Sequence, residues 1–326
     1  MSDWLLLDGA RRLLADTCTH EAVQAAEADG WSAAIWDALS ASGYADLAGL
    51  ELADALAVLT VAGEHAAPVP LAEAALAGWL LGESVEGPVS VVAPGAFGEL
   101  SLHDGLLSGT ARGVPWGRAI ERVVAVIDRQ AVVVPAALAT GVERRANLAG
   151  EPRDTLVFHR ARVEDVRPAA CDLDERGALT RAALMAGALA AMARLTIRYA
   201  GERRQFGRPI AAFQAVQQHL VSLAQDASLV GLAAEHAARS AGFFEIAAAK
   251  QLASRAALTA TRAAHQVHGA MGMTQEYRLH QFSRRLWAWR SEYGDEQRWA
   301  GRLGAAVARA GADSLYPAIT GGSAVI

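Results

Sequence analysis

The chain has 326 residues, 52% of them hydrophobic, with a formal net charge of -5 and a pI near 6.0. That length can bury a substantial core in two or three structural regions. The mildly acidic balance excludes the basic footprint of a nucleic-acid binder, and two cysteines, Cys18 and Cys171, exclude a disulfide framework and fit a reducing cytoplasm.

The chain begins Met1-Ser2-Asp3 with a short apolar run from Trp4 to Leu7. It has neither the basic start nor the apolar length of a signal peptide. Residues 1–87 read as helices. Trp31, Ile35, Trp36 and Leu39 recur at helical spacing, as do Leu52, Leu56 and Leu59, and Gly43 reads as a helix stop. Pro68-Val69-Pro70 interrupts this pattern before a further helix over Leu71 to Leu81.

Residues 88–170 change character. Short β-branched runs, Val89 to Val92, Val123 to Ile127, Val132 to Val134 and Thr155 to Phe158, predict strands. His103-Asp104-Gly105 and Ser108-Gly109 read as turns between them, giving a small antiparallel β domain. Residues 171–326 are alanine-rich and helical. A long apolar segment ends near Gly201, and Phe213, Val216, Leu220, Leu223 and Ala224 form the stripe of a second helix. Helices near 245–268 and 276–290 complete an antiparallel four-helix bundle. The apolar stretch Met185 to Ala193 is well short of the roughly 18 residues that span a bilayer. The class is thus α+β, mostly α, and the expectation is a cytoplasmic protein with no membrane or nucleic-acid partner. Lys250 is the sole lysine among 30 basic residues, a bias ascribed to codon composition.

Two segments carry chemistry: Arg203-Arg204-Gln205-Phe206-Gly207 and Gln266-Val267-His268-Gly269-Ala270-Met271-Gly272. Arginine presents a rigid fork of donors suited to phosphate oxygens. Glycines let the backbone approach a bulky ligand without Cβ interference. Together they predict a phosphate-containing cofactor held at helix ends.

The pattern Tyr199-Ala200-x-x-Arg203-x-Gln205-Phe206-Gly207-x-x-Ile210-x-x-Phe213-Gln214 resembles a signature of the acyl-CoA dehydrogenase family. So does Gln266-x-x-Gly269-x-x-Gly272-x-x-x-Glu276 with Arg284 beyond it, although Ala270 replaces the family's second glycine. The resemblance runs along most of this rather short chain. It implies an N-terminal helical domain, a middle β domain and a C-terminal four-helix bundle, in an oligomer built as a dimer of dimers. It further implies FAD, an acyl-CoA substrate and an electron-transfer flavoprotein. By matching positions, Arg203 would bind the pyrophosphate and Phe206 would lie near the adenine or flavin edge. Gln205 and Gln214 would be polar neighbours, and Gln266, Gly269 and Gly272 would line the ADP half of a neighbouring subunit's FAD.

Elsewhere the family pattern lapses. Its Thr-Glu-Pro corresponds to Val92-Ala93-Pro94-Gly95-Ala96, and its flavin-packing aromatic-Ile-Thr/Ser-Asn to Gly113-Val114-Pro115-Trp116. The catalytic base is a glutamate before Gly-Thr in common members, and here the matching triplet is Tyr293-Gly294-Asp295. A phenol, ordinarily ionising near pH 10, is a poor base for an α-proton. Glu292 is one residue away, and Asp174 or Glu175 would serve if the base lies on an earlier helix. These lapses imply a subunit that shares FAD with a partner carrying the base, as in the family's split enzymes of bacterial steroid catabolism. A self-sufficient homomer using Glu292 or Glu175, and a non-catalytic scaffold or CoA-thioester-binding protein, are the alternatives. His265 and His268 have the spacing of two metal ligands, but no further ligand supports a zinc site.

Overall fold

The computed structural model describes residues 4–92 and 99–321. Helices come first: α1 (Trp4–Thr17), α2 (His20–Asp29), α3 (Ala33–Ala41), α4 (Leu52–Glu64) and α5 (Leu71–Leu81). Local chemistry sets their ends. The Thr19 and Ser32 hydroxyls accept from the backbone N–H groups of Ala22 and Ile35, capping α2 and α3. Gly82, at φ 70°, closes α5 in the left-handed conformation. Ile35, Trp36 and Leu39 are buried on α3 as expected, whereas Trp31 precedes the helix and packs on the strand core.

Strands follow: β1 (Val89–Val92), β2 (Leu100–His103), β3 (Leu106–Pro115), β4 (Arg122–Ile127), β5 (Gln130–Pro135), β6 (Ala139–Glu143), β7 (Arg153–Arg162) and β8 (Asp165–Pro168). Among the described residues they form two four-stranded sheets, ordered β1-β4-β5-β8 and β2-β3-β7-β6. Asp104 and Gly105, both at positive φ, make the expected tight turn between β2 and β3.

Two expectations need correction. Ser108-Gly109 is no turn: it lies inside β3, where the pairing with β7 slips between Leu107 and Gly109. Gly109 has φ 122°, and a Cβ there would lie 1.8 Å from the Glu99 carbonyl, so the glycine serves a β-bulge. The β domain is not wholly antiparallel either. β1 pairs with β4 in parallel, and the chain between them carries β2 and β3, long enough for the crossover that a parallel pair requires.

The remaining elements are α6 (Leu173–Glu202), β9 (Arg204–Gln205), β10 (Arg208–Pro209), α7 (Gln214–Ser240), α8 (Phe243–His268), α9 (Leu279–Ser291), α10 (Glu296–Ala310) and α11 (Leu315–Gly321). α8 packs against α7, α9 and α10, and buries Ala249, Ala253, Ala256, Ala257, Ala260 and Ala264. Small side chains on that scale let helix axes approach closely. α6 extends well past Met185–Ala193. It is long and apolar enough to cross a membrane by length and composition, and 83% of its most apolar window is buried inside the protein.

The described residues divide into two units, one of residues 4–55 with 67–92 and 99–176, the other of residues 56–66 with 177–321. The first holds both sheets around a buried cluster that includes Leu107, Trp116, Val123, Val134, Leu156 and Phe158. The second holds the bundle and the end of α4. In it, a Cβ on Gly63 of α4 would lie 2.1 Å from the Leu184 carbonyl, and one on Gly187 of α6 would lie 1.8 Å from the Thr60 carbonyl. The two backbones touch there, and only glycine permits it.

Candidate functional site

The first motif begins where α6 ends. The Arg203 N–H donates to the Tyr199 carbonyl, and β9 and β10 then pair through Gln205 and Arg208. Phe206 and Gly207, at φ 52° and 80°, form the tight turn between them. A left-handed pair of this kind matches the twist of a two-residue hairpin. The turn lifts the Phe206 ring into solvent, 91% exposed. Arg203 and Gln205 are exposed beside it, as is Gln214 at the start of α7. The Phe213 ring meets Phe206 edge-on at 6.0 Å, and the Arg208 guanidinium lies 4.3 Å over Phe213.

The second motif closes α8. Gly269 has φ 58° and ψ -138°, a backbone state that only glycine adopts readily, and open space surrounds its Cβ position. Gln266 is exposed, while Gly272 is buried with its Cβ position 2.9 Å from the His268 Cβ. Tyr199, four residues before Arg203, joins the two motifs. Its ring stacks on His268 with centroids 4.4 Å apart, and Tyr277 completes the cluster at 5.7 Å from Tyr199 and 5.0 Å from His268.

The connection between α9 and α10 holds the expected base position. Tyr293 sits at φ 55°, and its ring lies against Gly177 of α6, where a Cβ would come within 2.2 Å of it. The Arg181 guanidinium stands 5.4 Å over that ring and pairs with Glu292 at 2.6 Å. The Tyr293 carbonyl accepts from the Trp299 indole at 2.9 Å. Beneath this, Lys250 Nζ donates to the carbonyls of Arg290 at 2.8 Å and Gly294 at 2.6 Å, and to Ser254 Oγ at 2.9 Å. Complete burial drives the Lys250 pKa down to about 7, against the opposing pull of Glu292. Asp295 caps α10, and the Arg298 and Gln297 N–H groups hold its carboxyl below the usual range. Sequence reasoning identified Tyr293 and Glu292 but missed Gly177, Arg181 and Lys250. The one available signal was that Lys250 is the only lysine.

Asp174 and Glu175, the earlier-helix carboxylates, lie in the first turn of α6, half-buried. Val92 ends β1, and Ala93-Pro94-Gly95-Ala96 fall outside the described residues. Trp116 closes its segment buried, its indole donating to the buried Glu73 carboxylate at 3.1 Å.

The fold is that of the acyl-CoA dehydrogenases. It superposes on the ChsE4-ChsE5 complex from Mycobacterium tuberculosis with a TM-score of 0.81 at 22% identity, over 92% of this chain and 95% of that one. Butyryl-CoA dehydrogenase from Megasphaera elsdenii gives 0.79 at 15% identity, over 94% and 99%. Residues 175–307 match the family profile described as acyl-CoA dehydrogenase, C-terminal domain. Over 244 residues the chain is 28% identical to acyl-CoA dehydrogenase IpdE2 of Mycobacterium tuberculosis, covering 73% of this chain and 72% of that protein. Over residues 175–307 the chain thus carries the C-terminal domain of the acyl-CoA dehydrogenase family, and it shares that family's fold.

Proposed function

We propose that the chain is a subunit of a flavin-dependent acyl-CoA dehydrogenase, which oxidises an acyl-CoA thioester to its 2-enoyl-CoA and shares FAD with a partner subunit that carries the base. The observation that carries this reading is the joining of the two motifs through Tyr199 and His268. The residues present fit a flavin dinucleotide. Arg203 offers exposed donors for pyrophosphate, Phe206 a bare ring for stacking, and Gly269 a backbone open to close approach. Bound FAD supplies the hydride acceptor. Gln205 and Gln214 would add polar contacts, and Gln266, Gly269 and Gly272 would line the ADP half of a neighbouring subunit's FAD.

The reaction also needs a base close to the substrate α-carbon. Glu292 is committed to Arg181, and Tyr293 occupies the cradle at Gly177, which supports a base from the partner over one from this loop. The neighbour ChsE4-ChsE5 is itself a complex of two proteins, in line with a heteromeric assembly. The proposal includes an oligomer in the cytoplasm, an electron-transfer flavoprotein as electron acceptor, and domains at 1–87, 88–170 and 171–326.

Arg203→Ala tests the cofactor assignment. Loss of a charge-assisted bond to pyrophosphate should weaken FAD retention by about 1.5–3 kcal/mol. Flavin absorbance after exhaustive dialysis is the readout, and occupancy equal to wild type contradicts the assignment.

A further inference from the structure

His265 and His268 lie directly under the glycine turn of the second motif. His268 is 3% exposed, and its Nδ1 contacts the Ala264 carbonyl at 2.8 Å. A carbonyl only accepts, so Nδ1 carries the proton and a neutral ring leaves Nε2 as a bare acceptor. Among the described residues Nε2 has no hydrogen-bond partner, and neither does the buried Nδ1 of His265. The other nitrogen of His265 meets Ser283 Oγ of α9 at 3.0 Å. The turn rests on this pair: the Cβ position of Gly272 lies 2.9 Å from His268 Cβ and 3.3 Å from His265 Nδ1.

The ionisable groups around the pair do little to welcome a positive charge. His280 of α9 stands close enough to His265 to oppose its protonation. Tyr199 of α6 and Tyr277 cover His268 with neutral rings. Arg198 and Glu202 of α6, opposite in sign, act on the Tyr277 hydroxyl. The C-terminal end of α8 favours a cation, but burial outweighs it. Burial holds both imidazoles below their ordinary range; His280 adds to this at His265 and His265 at His268, while the Ala264 carbonyl pulls His268 the other way.

We propose that His265 and His268 are positioning residues for the 269–273 turn: as neutral rings they support it, and on protonation they release it. The second motif is then ordered near neutral pH and loosened in mildly acidic solution. A group whose folded pKa is depressed below the imidazole reference near 6.5 costs stability as pH falls through that reference towards the folded value. On the reading of this segment as a flavin contact, the pair makes cofactor retention pH-dependent.

Amide hydrogen exchange on the flavin-free full chain tests the device, with rates corrected for intrinsic pH dependence. Between about pH 7.5 and pH 5.5, residues 265–274 should lose about tenfold or more of their protection while residues 182–192 of α6 keep theirs. In His265→Asn/His268→Gln the pH dependence at 265–274 should vanish. If the double variant fails to fold, His265→Asn alone should reduce the dependence. Unchanged wild-type protection at 265–274, equal loss in α6, or a variant that keeps the full pH dependence overturns the proposal. Flavin fluorescence after loading with FAD separates the two readings. A chain that never retains FAD at pH 7.5, alone or with its co-purified partner subunit, removes the cofactor assignment and leaves the exchange result standing. Exchange that stays flat removes the switch, whatever the flavin does.

Discussion

Lys250 of α8 donates to the carbonyls of Arg290, at the end of α9, and Gly294, just before α10, and to the Ser254 hydroxyl on its own helix. Its pKa near 7, against 10.5 for a free lysine, has a definite sign for stability. Below pH 7 folded and unfolded chains are both protonated and the group contributes no slope. Between 7 and 10.5 the unfolded chain binds a proton that the folded one lacks, so stability rises with pH, by at most about 1.4 kcal/mol per unit. Lys250→Met should lose that rise and leave the Gly294 carbonyl short of a donor, while the Arg290 carbonyl keeps Ser254 Oγ at 3.1 Å, costing about 1–3 kcal/mol. Urea midpoints across neutral to alkaline pH check both effects, and parallel curves for wild type and variant contradict the first. None of this network was legible in the chain. Arg181 and Glu292 are 111 positions apart, and nothing local to Gly177 announces that a tyrosine ring will lie against it. The motif residues were legible because their chemistry is local: Phe206-Gly207 carries its own turn, and Gly269 its own backbone state.

At the level of elements, sequence reads best where a single residue sets a boundary. Pro70 and Gly82 bracket α5, and Asp104-Gly105 turns β2 into β3. It reads poorly where the partner decides. Gly109 has the composition of a turn, but pairing with β7 makes it a bulge, and nothing in Val89 to Val92 reveals a parallel neighbour. The α4–α6 crossing is of the second kind. With Gly187 Cβ placed 1.8 Å from a carbonyl, Gly187→Ala cannot be absorbed by a side-chain shift and must separate the helices. Overpacking of this sort costs about 1–3 kcal/mol or more. The variant's thermal midpoint should fall accordingly, and an unchanged midpoint would show that the crossing is looser than described.

Taken as a whole, the molecule keeps the acyl-CoA dehydrogenase fold, and the proposed function places its departure from that family at the base position. The frame was legible because helix, strand and helix follow one another in blocks and both motifs lie in the bundle unit. The centre was legible only as a departure, Tyr293 where a carboxylate is expected. Structure adds the reason that its neighbour is no simple replacement: Glu292 is bound to an almost fully buried arginine. The source of the base therefore decides whether this chain acts alone. The most direct test is anaerobic flavin reduction, with the chain alone loaded with FAD and mixed with a panel of acyl-CoA thioesters. The flavin should stay oxidised, and Glu292→Gln should change nothing. Rapid bleaching by the chain alone, abolished in Glu292→Gln, would contradict this and make this subunit a complete enzyme.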